Sequence, residues 1–108
     1  MLAQTIAQHV ANMTGVTPAE IYGRSHRRRQ ALARHVVWFT LARKYSWDYS
    51  AIAREFNRER ASVMRAIYSI EDQTVLLRDV RELVRAVEAT DYYAHIGVVV
   101  AKCSGPNP

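Results

Sequence analysis

Apolar residues recur at the spacing of an α-helix along most of this chain, and this repetition constrains the possible folds more than any other feature. An apolar side chain returns every three or four positions in successive segments, and residues typical of helix ends separate those segments. Before the last of these segments, no stretch alternates apolar and polar residues as a half-buried strand does. The pattern predicts an all-α domain of five or six helices.

Local signals mark where the helices begin and end. Thr17, followed by Pro18 and then by Glu20, is typical of a helix start, whereas Gly15 and Gly23 are typical of helix ends. The predicted helices cover residues 2–13, 18–22, 25–44, 49–56, 59–73 and 76–89.

The longest predicted helix, over residues 25–44, carries apolar side chains on more than one face. Such a helix is largely buried, so we expect Trp38 and Phe39 in the core and not on a base-stacking surface. The helical domain is predicted to span residues 1–90. Residues 91–108 are predicted to form a partly disordered tail.

A short helix, a tight turn and a second helix follow one another between residues 48 and 73. Asp48 is suited to cap the first helix, Ile52 and Phe56 lie one helical turn apart, and Asn57 is suited to the left-handed backbone that ends a helix. This order is typical of a helix-turn-helix, whose second helix presents its first residues to base edges in the major groove of double-stranded DNA. Arginine pairs with guanine, glutamate accepts from cytosine, and serine serves a base or a phosphate. The expected major-groove residues are Arg58, Glu59, Arg60, Ala61, Ser62 and Arg65.

Positive charge is concentrated in the middle of the chain. Residues 24–65 contain eleven Lys or Arg against three acids, whereas the whole chain has a net charge of +5. Such a segment favours a polyanionic partner. For Trp47 and Tyr49 two interpretations stay open, contact with the sugar-phosphate backbone and packing beside the helix cap. The expected backbone or minor-groove contacts that follow from charge are Arg27, Arg28, Arg29 and Arg34.

The same region is similar to a known family. Residues 33–39, 49–56 and 57–66 resemble the C-terminal DNA-binding domain, domain IV, of the DnaA replication initiator family. That family's pattern runs alanine-arginine-glutamine, leucine-x-glutamate-isoleucine-glycine, phenylalanine and glycines, then arginine-aspartate-histidine-threonine-threonine-valine. The resemblance covers residues 10–71. The residues that stand in the last motif are Arg58, Glu59, Arg60, Ala61, Ser62 and Val63.

The resemblance implies a DnaA domain IV-like fold and its mode of docking on DNA. It implies that the stretch from His26 to Arg29 enters or flanks the minor groove, and that His35, in the place of the family glutamine, touches phosphate. Ala51, Ala61 and a turn one residue shorter depart from the pattern. Because one lost base contact costs about 1 to 3 kcal/mol of discrimination, we expect the recognised DNA sequence to differ from that of the initiator.

The expected role is transcription regulation without catalysis. None of the four glycines belongs to a glycine-rich phosphate loop, so we expect no ATPase and no cofactor. Free-standing domains that look like this one occur in phage-like genomes and as activators of gene transfer agents, which favours a transcription activator. A replication accessory protein that binds origins stays an alternative. No nucleophile with a base is apparent, so we expect no enzyme.

Cys103 is the only cysteine and the four histidines lack ligand spacing, which argues against a disulfide or a zinc site. We find no signal peptide, and the apolar run from Val36 to Ala42 is too short to cross a bilayer. The expected location is therefore the cytoplasm, in association with the nucleoid, with no membrane partner.

Two apolar features leave partners open. The stretch from Ile96 to Ala101 has three interpretations: it docks on the core, pairs with another chain, or binds a partner such as RNA polymerase machinery or an activator protein. The last would suit a protein-interaction adaptor. The stripe predicted on the last helix either packs on the core, which we favour, or forms the seam of a homodimer. That stripe consists of Leu76, Val80, Leu83 and Val87.

Overall fold

The computed structural model describes residues 1–94, and it has the predicted all-α architecture. Within those residues no strand is formed. The helices are α1 (Leu2–Thr14), α2 (Pro18–Tyr22), α3 (Arg28–Arg43), α4 (Tyr49–Phe56), α5 (Arg60–Leu76) and α6 (Arg78–Glu88).

The predicted helix ends are confirmed where the signal is local. Thr17 Oγ1 accepts from the Glu20 backbone N–H at 3.1 Å, and Glu20 Oε1 accepts from the Thr17 N–H at 2.9 Å, which completes a capping box at α2. Gly15 ends α1 with a φ of 78°, a left-handed conformation that glycine adopts without steric cost. Asp48 Oδ1 accepts from the Ala51 N–H at 2.7 Å and so caps α4.

Helix α3 is the centre of the molecule, because it packs against each of the other five helices. Its Val36, Val37 and Leu41 are fully buried. Trp38 and Phe39 are also buried, which confirms that they belong to the core. A fully buried side chain of this size stabilises the fold by about 1.5 to 3 kcal/mol, so α3 is the main scaffold for the elements around it.

Three predicted boundaries are corrected. Helix α3 begins at Arg28 and not at residue 25, because the Ser25 hydroxyl accepts from the Arg27 N–H at 3.2 Å and holds a loop there. Helix α5 continues to Leu76, and Leu77 then adopts an extended conformation, with φ −118° and ψ 119°. Helix α6 therefore begins at Arg78 and not at residue 76.

The stripe on α6 packs on the core, as favoured, but Leu76 is not part of it. Val80, Val84 and Val87 are buried, whereas Leu76 lies at the end of α5 and is 77% exposed.

The core continues past residue 90. Tyr92 is buried, its hydroxyl shares a 2.5 Å hydrogen bond with His9 Nδ1, and its backbone N–H donates to the Tyr45 hydroxyl at 3.1 Å. Tyr92, two residues past the predicted boundary at residue 90, is thus part of the core. The apolar stretch from Ile96 to Ala101 lies outside the described residues. Among residues 1–94, no helix combines the length and apolarity needed to span a membrane.

Candidate nucleic-acid interface

Helices α4 and α5 form the predicted helix-turn-helix. Asn57 follows α4 in the left-handed conformation, with φ 54° and ψ 57°, as predicted. The Arg58 N–H donates to the Ala53 carbonyl at 2.8 Å and the Asn57 N–H donates to the Arg54 carbonyl at 3.4 Å, a pair of bonds that satisfies carbonyls at the end of a helix. The turn therefore depends on backbone bonds that the left-handed residue makes possible.

The first residues of α5 face away from the core. Together with Glu59, which precedes the helix, we call Arg60, Ala61, Ser62 and Arg65 the leading end of α5. Glu59 is the residue before the first turn, yet its side chain makes no capping bond. Ser62 is partly buried and lies 3.5 Å from a terminal nitrogen of Arg65. The exposed members of the leading end are Glu59, Arg60, Ala61 and Arg65.

Arg60 is oriented by an aromatic face. Its Cζ lies 5.7 Å from the centre of the Tyr49 ring, within the range of a cation–π contact. The Tyr49 hydroxyl in turn accepts from Arg43 at 3.2 Å, and that hydrogen bond lowers the pKa of Tyr49. Arg43 is itself held by Glu71 at 2.6 Å. A braced ring thus limits the directions that the exposed Arg60 side chain takes.

Trp47 and Tyr49 serve packing in this structure. Both are partly buried and lie against the hydrophobic core. The Tyr49 ring also meets the exposed Tyr68 edge to face, with centroids 6.4 Å apart.

A second exposed cationic group precedes α3. We call it the basic stretch. Arg27 is the residue before the first turn of α3 and makes no side-chain cap, and the first turn contains no acid. Cations at a helix N-terminus are unfavourable with the helix dipole, so the fold alone gives no reason for this charge. The basic stretch consists of the exposed residues His26, Arg27, Arg28 and Arg29.

Neither cationic group is neutralised within the described part of the chain. The ion pairs between residues 1 and 94 are Arg43 with Glu71 and Arg78 with Glu82, at 2.6 and 3.0 Å. The same residues hold no cluster of His, Cys, Asp and Glu suited to a metal ion. The unpaired cationic groups are therefore suited to an anionic partner.

The prediction that Arg34 contacts DNA is corrected, because the side chain is buried in the structure. It is 4% exposed, and its guanidinium donates to the carbonyls of Ile21 at 2.7 Å, Glu20 at 3.0 Å and Ser25 at 3.1 Å. Burial, together with the charge of Arg58, lowers its pKa. Arg34 thus closes the end of α2, and three of its five N–H donors are used by backbone carbonyls.

His35 is partly buried beside Trp38, with ring centroids 5.3 Å apart. Burial lowers the pKa of His35 to about 4, and the charges of Arg34 and Arg58 act in the same direction. The imidazole is therefore neutral at physiological pH, and it can approach phosphate only as a neutral N–H donor.

Arg58 differs from the exposed residues that follow it. It is partly buried, one terminal nitrogen donates to the Phe56 carbonyl at 2.7 Å, and the other donates to the Gly23 carbonyl. Burial, and then the charge of Arg24, lowers its pKa. The prediction that Arg58 reaches base edges with the other residues does not agree with this inward orientation.

The sequence reasoning missed Arg24, which donates to the Asn57 carbonyl at 2.9 Å. It lies in the basic segment, but no local pattern separates it from its neighbours. A cleft of about 300 Å³ lies between the loop after α2, helix α3 and the start of α5. It is lined by Arg24, His26, Ala31, Arg34, His35, Trp38, Arg58 and Ser62.

Comparison with known proteins gives a family for this architecture. The family described as bacterial dnaA protein helix-turn-helix matches residues 3–70, more than half of the chain. Two curated relatives are the chromosomal replication initiator protein DnaA 1 of Chlamydia muridarum and that of Chlamydia trachomatis serovar D, each 34% identical over 68 residues. The match covers 63% of this chain but only 15% of each relative's length.

Proposed function

This chain belongs to the bacterial DnaA helix-turn-helix family, and on that premise we propose that it binds double-stranded DNA at a specific sequence and regulates transcription. The observation that carries the proposal is the leading end of α5, which is exposed, cationic and free of ion pairs among the described residues. In a helix-turn-helix this is the part that enters the major groove.

Base recognition is assigned to the leading end of α5. Arg60 and Arg65 carry the planar fork that grips O6 and N7 of guanine, and Glu59 accepts from the amino group of cytosine. Ser62 donates to a base or a phosphate, and the Ala61 methyl is suited to contact the methyl group of thymine. Arg60 contributes most to discrimination, because the Tyr49 face already limits its orientation.

Backbone anchoring is assigned to the basic stretch. Its three arginines are exposed and unpaired by acids in the described region, so phosphates are suitable partners, and the width of the minor groove admits an arginine side chain. These contacts fix the register of the protein without reading sequence. His35, as a neutral donor at the edge of the cleft, is assigned to a phosphate oxygen.

Regulation of transcription is the biological role we favour, through contact with RNA polymerase machinery or a partner activator at the nucleoid. A second candidate is binding to a replication origin, which the names of the two relatives favour, since both are called chromosomal replication initiators. In either role the protein is a DNA-binding factor without a catalytic step.

Selection of bound sites from a random duplex library, followed by mobility shift on the selected site, tests DNA binding. We expect one enriched motif, and a palindromic motif would indicate a homodimer. Capture of a protein that survives nuclease treatment, with no shift on any duplex, would instead support an adaptor. Loss of the complex to RNA competitor but not to duplex DNA would also contradict the proposal.

The two biological roles are separated by placing the selected site in front of a reporter promoter. We expect co-expression of the chain to change reporter output, and Arg60→Ala to abolish that change. Unchanged output from the promoter, together with altered replication of a plasmid that carries the same site, would favour the origin-binding role.

A further inference from the structure

We infer that Arg58 is a positioning residue, which fixes the basic stretch relative to the leading end of α5 instead of reading bases. The inference rests on the proposed function, since it says how the two DNA-contacting elements of that function are held in register. It assigns Arg58 a role that differs from that of the exposed arginines beside it.

Two arginines link the loop after α2 to the helix-turn-helix turn, and one starts from each of these two segments. Arg58 starts in the helix-turn-helix turn and donates to the carbonyl of Gly23, which ends α2, and to that of Phe56 at 2.7 Å. Arg24 starts in the α2–α3 loop, residues 23–27, and donates to the Asn57 carbonyl of the turn at 2.9 Å. The loop and the turn are therefore joined from both sides.

Arg34 holds the same loop through hydrogen bonds to other carbonyls. Its three donors occupy carbonyls of α2 and of Ser25, so the loop is held at Gly23 by Arg58 and at Ser25 by Arg34. The basic stretch begins at the very next residue, His26. The position of His26 and Arg27, which lie in this loop, relative to the turn is thus held by guanidinium–carbonyl bonds, whereas Arg28 and Arg29 are also placed by the packing of α3 on α5.

The chemistry of the side chain suits this task better than base recognition. A guanidinium carries several donors in a rigid plane, and here its two terminal nitrogens point to carbonyls on different segments. Bidentate recognition of guanine needs two such donors directed outward. Lysine keeps the charge, but a single ammonium on a flexible stem does not reproduce the planar fork.

A double-mutant cycle on the selected duplex tests the inference. We expect Arg58→Ala to weaken binding by about 10-fold in the wild-type background, but by less than about 3-fold when His26→Ala and Arg27→Ala are already present, because both residues lie in the loop that Arg58 holds. Arg60→Ala serves as the matched comparison, and it should weaken binding by the same factor in both backgrounds. Arg58→Lys should behave like Arg58→Ala, because the fork and not the charge is required.

Two outcomes would overturn the inference. One is an Arg58→Ala loss that is equal in both backgrounds, and the other is full rescue by Arg58→Lys, since each would mean that the charge touches DNA itself. Circular dichroism melting identifies the temperature at which every variant is folded. If Arg58→Ala does not fold, Arg24→Ala, which removes only one cross-link, should show the same non-additivity with a smaller loss, and strict additivity there would also overturn the inference.

Hydrogen exchange separates failure of this inference from failure of DNA binding. In the free protein, Arg58→Ala should accelerate amide exchange in the α2–α3 loop and leave α1 unchanged. If wild-type protein binds no duplex, the proposed function fails, while selective exchange in the loop would still support the cross-link. Unchanged loop exchange would remove the cross-link, whatever the DNA result.

Discussion

Three nearby arginines, Arg34, Arg58 and Arg60, differ in where their donors are directed. Arg34 is buried against backbone carbonyls, Arg58 is turned inward at the turn, and Arg60 is exposed over the Tyr49 ring. A sequence presents the three as equivalent cations. Burial and hydrogen-bond partners separate them, and only Arg60 keeps its fork available for a base.

Arg60→Ala should weaken binding to the selected site by about 10-fold or more, because a bidentate contact to guanine is worth about 1 to 3 kcal/mol of discrimination. Binding to random duplex should fall by only about 3-fold. The measurement is mobility shift on both DNAs at fixed salt. Arg54→Ala is the matched control, since it removes an exposed charge from α4. Equal losses on the two DNAs would exclude sequence reading by Arg60.

His35 makes stability depend on pH. The unfolded chain protonates this imidazole near its ordinary value of 6.5, whereas burial lowers its pKa to about 4 in the folded protein. Between these values the unfolded state binds more protons, so the free energy of unfolding falls as the pH is lowered from 6.5 to 4. At about 1.4 kcal/mol per pKa unit, the loss approaches about 3 kcal/mol.

His35→Gln removes the titrating group and places the family's own residue at this position. Urea unfolding between pH 4 and 7 should show a shallower fall in stability for the variant than for wild type. Parallel pH profiles would mean that His35 does not contribute to the acid sensitivity.

At the scale of elements, the helix-turn-helix depends on one left-handed residue. Asn57 has a φ of 54° between α4 and α5, at a place where the DnaA pattern has glycines and one more residue. Asparagine and glycine tolerate this conformation, whereas a β-branched side chain does not.

Asn57→Val should lower the free energy of unfolding by about 1 kcal/mol or more relative to Asn57→Gly, because left-handed backbone is strained in residues with a β-carbon. Chemical denaturation measures the difference. Asn57→Gly is the control, because glycine adopts left-handed backbone without steric cost. Valine and glycine variants of equal stability would show that the turn does not need this conformation.

At the scale of the whole molecule, the described chain combines a helical core with positive charge concentrated in residues 24–65. Tyr92 packs on His9 and Tyr45, so the core extends beyond α6 to Tyr92. The net charge of +5 arises from the segment that contains the basic stretch and the leading end of α5.

Tyr92→Ala should destabilise the protein by about 3 kcal/mol, the usual cost of truncating a buried aromatic side chain. The neighbouring Tyr93 is 55% exposed and only its contact with the Tyr45 ring, with centroids 4.9 Å apart, is lost on truncation, so Tyr93→Ala should cost about 1 kcal/mol or less. Thermal and urea unfolding compare the pair. Similar losses for both would mean that Tyr92 adds no specific packing beyond that of an exposed tyrosine.

Arg28→Ala should weaken binding to selected and random duplex alike, and should reduce the slope of log K against log salt by about 0.9 for one lost phosphate contact. Titrations across a range of salt concentrations measure the slope. A loss confined to the selected site would assign Arg28 to base reading instead of backbone anchoring.

Features that depend on a few neighbouring residues were predictable from the chain. The Thr17 capping box, the Asp48 cap, the Gly15 end and the left-handed Asn57 each arise from bonds or dihedral angles within about one helical turn. The buried α3 was predictable as well, because apolar residues around a whole helix leave no face for water.

The roles of Arg24, Arg34 and Arg58 were not predictable in this way. The carbonyls that receive their donors lie 9 to 35 residues away along the chain, apart from those of Phe56 and Asn57 just before Arg58, and no local pattern records that the two segments meet. Charge and helical periodicity are properties of a segment. Whether a guanidinium faces solvent or a carbonyl depends on which backbone the packing of distant helices brings within hydrogen-bond distance.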